Sequence, residues 1–165
     1  MQSRSIPLLA AALLAALALA GPDADARPAQ DPPPYRLSLR AMLFYNDRGT
    51  FGPDLIAHPV ALWNTIIGEG QSGGASNATL VVAVVSGEAG SYVPERKVAL
   101  TVTGGGRTLV QRTVETSVLN RQGRSYVGFW VYDTGCGRLR LSARIVGQTP
   151  ARAPVTATIP FECGE

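Results

Sequence analysis

From residue 35 onward the apolar positions of this chain recur at every second residue. Leu37, Leu39, Ala41 and Leu43 alternate with Arg36, Ser38, Arg40 and Met42. That is the pattern of a half-buried strand, because successive side chains of an extended chain point to opposite faces. Residues 80–85 are apolar throughout and mostly β-branched, which predicts a central strand covered on both faces. Val98, Leu100 and Val102 alternate with Ala99, Thr101 and Thr103, and a strand-like pattern resumes over 107–114 after Gly104, Gly105 and Gly106, so a hairpin is expected. Residues 126–132 mix aromatic and β-branched side chains in another strand. Over 138–146, Leu139, Leu141, Ala143 and Ile145 face one way while Arg138, Arg140, Ser142 and Arg144 face the other. The last run, 155–161, contains Pro160, which cannot donate to a ladder, so an edge position or a locally unpaired site is implied.

No segment beyond residue 34 shows a sustained helical period. Six or seven short strands separated by Gly, Pro and Asn turns predict an all-β domain, a single antiparallel two-sheet sandwich. In strand number and spacing, residues 35–165 resemble a secreted bacterial immunoglobulin-like or fibronectin type III-like sandwich. The resemblance implies a fold and transfers no function. It lacks the Cys, Trp and Cys spacing of immunoglobulin domains, since both cysteines here flank the last two strands.

The first 26 residues read differently. Arg4 precedes an apolar run over 6–20, followed by Gly21 and Pro22; small residues two apart, Ala18 with Ala20 and Ala24 with Ala26, offer two cleavage sites. This is the layout of a secretory signal peptide, and the run is shorter than the roughly 20 residues needed to span a bilayer. With no Cys before Cys136 to take a lipid, release without a membrane span is expected, to the periplasm or the exterior. Residues 27–34 form a Pro-rich tail. What remains, about 130 residues, fits one core and leaves no room for a second domain. The formal charge of +3 rises by one unit if Arg4, Asp23 and Asp25 leave with the leader. So small a value implies weak attraction to anionic surfaces and no specific nucleic-acid binding.

Two cysteines in a chain bound for an oxidising compartment predict a structural disulfide between Cys136 and Cys163. Cys136 precedes one strand and Cys163 follows the next, so the bond should close the open end of the final hairpin. Parity conflicts, however: Cys163 has the phase of the inward Ile159 and Phe161, and Cys136 that of the outward Arg138 and Arg140. A phase break is therefore predicted between Gly135 and Gly137.

Candidate binding residues fall in two groups. The loop over 46–77 holds His58, Trp63 and Asn64, and long loops often carry recognition; alternatively Val60, Leu62, Trp63, Ile66 and Ile67 fold back and plug one end of the sandwich. Arg138, Arg140 and Arg144 form a basic row, as do Arg36 and Arg40. The two would attract polyanions if they adjoined, and otherwise form solvated faces. Gly104 to Gly106 reads as a tight turn, not a phosphate loop, because a strand follows it and not a helix. Asn77, Ala78 and Thr79 spell a glycosylation acceptor, read here as an exposed turn. A single His, no nucleophile motif and no clustered ligands leave nothing on which to base catalysis, a metal or a cofactor. The expected function is an exported, non-enzymatic binding or accessory module of the cell envelope, a monomer acting through a loop or strand edge on a protein or envelope polymer. The alternative is a secreted inhibitor or immunity-like protein directed at a hydrolase.

Overall fold

A computed structural model describes residues 33–163. The expected leader and residues 27–32 of the tail lie outside the described residues. Ten strands occur in chain order: β1 (Arg36–Tyr45), β2 (Thr50–Phe51), β3 (Leu62–Trp63), β4 (Ala78–Ser86), β5 (Lys97–Gly104), β6 (Arg107–Glu115), β7 (Arg124–Tyr132), β8 (Leu139–Val146), β9 (Val155–Ile159) and β10 (Phe161–Glu162). Among the described residues there is no helix.

The long strands form two antiparallel sheets packed into a sandwich. Sheet one runs β2-β1-β4-β7 and sheet two runs β6-β5-β8-β9. The alternation in the sequence becomes the core: Leu39, Ala41 and Leu43 of β1, Val81, Ala83 and Val85 of β4, and Val127, Phe129 and Val131 of β7 meet Val98, Leu100 and Val102 of β5 and Leu139, Leu141 and Ala143 of β8. Removing this apolar area from water is the main force holding the sheets together. Between β5 and β6 the chain turns on Gly105 and Gly106, with φ of 55° and 76°. Positive φ at both central positions is the geometry that matches the twist of a two-residue hairpin.

β4 is central in sheet one, as its composition predicts, but it is not covered on both faces. On the outer side Val84 is buried, but Leu80 and Val82 are only half-buried.

The final hairpin shows the predicted phase break. Pairing of β8 with β9 stops at Leu139 opposite Ile159, and both Gly135 and Gly137 have positive φ. Continued unbroken, that register would set residue 136 opposite 162, whereas the disulfide joins Cys136 to Cys163, with Cα atoms 4.9 Å apart. The shift is one residue, and the flanking glycines absorb it. On the other side the expected run over 155–161 is split. β9 ends before Pro160, which has no N–H to offer, and β10 turns away to pair in parallel with β3.

Candidate functional site

The two sheets present unlike outer faces. On sheet two, Thr101 and Thr103 of β5, Arg140 and Ser142 of β8, and Thr156 and Thr158 of β9 stand in register. This is a polar, solvated surface.

On sheet one the register lays out five rows across β1, β4 and β7: Arg36, Ser86 and Arg124; Ser38, Val84 and Tyr126; Arg40, Val82 and Gly128; Met42, Leu80 and Trp130; Phe44, Ala78 and Tyr132. Phe51 of β2 extends the last row beside Phe44. The face therefore grades from basic at one end to aromatic at the other. Exposure of Phe51 is 45%, Tyr126 52%, Trp130 40% and Tyr132 65%. Such a contiguous apolar area on an outer face is unusual, since exposed sheet faces are normally polar.

The aromatic end is an assembled unit. Ring centroids lie 5.4 Å apart for Phe44 and Phe51, and 5.6 Å for Phe44 and Trp130, which meet edge to face. Phe51 lies 5.8 Å from Trp130, and Trp130 lies 6.0 Å from Tyr132 with nearly parallel rings. Rings packed on one another at these distances attract beyond their buried area and lose little further freedom when a partner settles on them. One polar pair sits on the same face: Arg40 Nε donates to Asp54 Oδ2 at 3.1 Å. Asp54 Oδ1 accepts from the backbone N–H groups of Ala41 and Ile56.

Around the outer edge of β7 the face continues into a groove of about 700 Å³, lined by Gly128, Trp130, Tyr132 and Asp133 on one side and by Arg107, Leu109 and Arg112 of β6 on the other.

The residues singled out from sequence fall elsewhere. His58 is exposed, and its backbone N–H donates to the Asp54 carbonyl. Asn64 has a φ of 47° and shapes its turn: its side-chain amide donates to Glu69 at 2.7 Å, and its carbonyl accepts from Ile67 N–H. Trp63 is 44% exposed beside Glu162 of β10. Of the residues expected to plug the end of the sandwich, Leu62 is in the core and Val60 packs against it, but Trp63, Ile66 and Ile67 do not, the last two at 50% and 68% exposure. The turn that buries Thr65, whose hydroxyl donates to the Gly135 carbonyl, carries the two isoleucines outward.

The arginines do not form one field. Arg140 projects from sheet two and Arg40 from sheet one. Arg138, which precedes β8, lines a cavity of about 440 Å³ with Arg140 and Gly104 to Gly106. At the opposite end Arg36 and Arg144, with Arg152, line another of about 290 Å³. The two rows therefore adjoin at that corner, through Arg36 and Arg144.

Sequence reasoning missed the aromatic face because both alternations of β7 are apolar. The usable signal was the contrast between Ser125, Val127, Phe129 and Val131 on one side and three rings with polar atoms, Tyr126, Trp130 and Tyr132, on the other. Among the described residues no group of three or more His, Cys, Asp or Glu is placed to hold a metal, and no helix is long and apolar enough to cross a membrane. No protein-family model matches the chain, and no curated protein matches it significantly.

Proposed function

We propose that this protein is an exported binding module of the cell envelope, without catalysis of its own, whose working surface is the outer face of sheet one and the groove along β7. The observation that carries this reading is the contiguous cluster in which Phe51, Trp130 and Tyr132 are held open to solvent around a half-buried Phe44. Cross-strand ring contacts stabilise the sheet by themselves, but they do not require that three large rings stay about half open to water, and aromatic anchors dominate binding energy at interfaces. The division of the long strands, first, second and fifth in one sheet against third, fourth, sixth and seventh in the other, supports the fibronectin type III-like reading of the sandwich. That architecture serves as a platform for binding surfaces and does not name the ligand.

The test is co-sedimentation of the mature chain with its own envelope fraction, comparing wild type with Trp130→Ala. The ring is partly exposed, so the fold should persist by circular dichroism while retention falls at least about tenfold, the loss expected of an anchor residue. Undiminished retention would refute the assignment.

The inhibitor reading is favoured by a separate observation. Trp63, Ile66 and Ile67 project from a turn braced by the pairing of β3 with β10, next to Cys163. Inhibition of an envelope hydrolase that is lost in Trp63→Ala and kept in Trp130→Ala would favour that reading over the first.

A further inference from the structure

Sheet one ends at β7 and, among the described residues, has no strand lying over β6, the edge strand of sheet two. The register gives Arg107, Val110, Arg112 and Val114 of β6 the core-facing side of sheet two, which they share with Val98, Leu100 and Val102. Yet only Val110 is even half-buried, and the other three are exposed. No strand of sheet one covers them among the described residues.

β7 is correspondingly open. It bonds to β4 on one side, and its other edge has no strand partner among the described residues. Asn120 closes only the first position, donating its backbone N–H to the Arg124 carbonyl and accepting from Arg124 N–H through its side chain. From Ser125 to Tyr132 the edge contains no charge, no proline and no register shift. Those are the devices by which proteins normally keep a long edge from pairing.

A second observation lies in the middle of this edge. Gly128 faces outward between Tyr126 and Trp130, and a Cβ built there would meet only Leu80 Cδ1, at an ordinary 3.5 Å. Neither crowding nor a left-handed backbone requires glycine, although glycine weakens a strand. A glycine so placed fits the close approach of another chain, and a bulky cross-strand side chain is the usual complement of a glycine in a strand.

We infer that the β7 edge receives an extended polypeptide segment of a partner protein, which adds as the missing strand in the groove facing β6. This deepens the binding reading above and rests on it. The groove sets the chemistry of the segment. Its core-facing side carries acidic residues to meet Arg107 and Arg112, which outweigh the groove's one carboxylate, Asp133, and small apolar ones to meet Val110 and Val114. Its outer side carries a ring that lies across Gly128. Backbone pairing supplies affinity and the alternating side chains supply specificity, as in other cases of strand addition.

The experiment selects end-blocked decapeptides from a random library on the full mature chain, then measures the consensus peptide by titration and hydrogen–deuterium exchange. The expected consensus alternates a ring-bearing face with an acidic and aliphatic one, and binding protects amides within 124–132. Replacing two adjacent central peptide residues by Pro removes ladder donors and should weaken binding at least tenfold, as should exchanging the acids for Lys. Gly128→Val should weaken it by a similar factor with the unfolding midpoint unchanged or raised. Absence of a consensus, protection elsewhere, or equal binding of the Pro peptide would overturn the inference. Trp130-dependent retention of envelope polysaccharide with no peptide consensus overturns strand addition alone. Loss of both overturns the binding reading as well.

Discussion

Two glycines illustrate how far single positions are determined by the fold. At Gly147 φ is 75° and a Cβ would collide with the Glu95 carbonyl. Gly147→Ala should therefore destabilise by about 2 kcal/mol or more, the strain of a left-handed non-glycine residue plus the displaced backbone. Gly128 has neither constraint, so Gly128→Ala should leave stability unchanged or raise it by about 0.5 kcal/mol, as lost unfolded-state freedom predicts. Urea unfolding of both variants checks the contrast, and equal destabilisation would mean that the fold requires Gly128 after all. The sequence alone does not distinguish the two, because whether a glycine is needed depends on what stands above its Cα in three dimensions. The same holds for Trp63 and Trp130. Both are half-exposed tryptophans next to apolar residues, but the first stands out in sequence because polar and glycine residues surround it, while the second is hidden in a run that looks like core.

At the level of elements, strands were legible wherever one alternation was apolar and the other polar, as in β1, β5 and β8. Where both alternations are apolar, the period of two identifies a strand but not which side meets the core. That ambiguity explains the misreading of β4 as doubly covered and the silence about β7. The C-terminal clasp was legible from two cysteines placed on either side of the final hairpin, and its phase break from their conflicting parity, because a cross-strand bond and an alternating pattern must agree. Closing 27 residues of sequence separation, it should contribute roughly 3 kcal/mol through restriction of the unfolded chain. The variant with both Cys136→Ala and Cys163→Ala should lose about that amount in urea unfolding while keeping its β-sheet circular dichroism. A loss near zero would mean that β10 is held by its pairing with β3 without help from the bond.

Across the whole molecule, three long strands stand against four, and one outer face is polar while the other is basic at one end and aromatic at the other. Strand content and sandwich architecture follow from local patterns that every segment states for itself. The aromatic face does not, since it is assembled from Phe44, Phe51, Trp130 and Tyr132 on three strands of different sequence position. Only the pairing register brings them together. The proposed binding surface is this face, and not the loop carrying Trp63 or the arginines of sheet two. Hydroxyl-radical footprinting of the mature protein free and bound to its envelope fraction tests it most directly, because both tryptophans, the tyrosines and Met42 are oxidisable reporters. Strong protection of Trp130, Tyr132 and Tyr126 with Trp63 and Tyr92 unchanged is the expected result; protection confined to Trp63 and its neighbours would place the partner elsewhere.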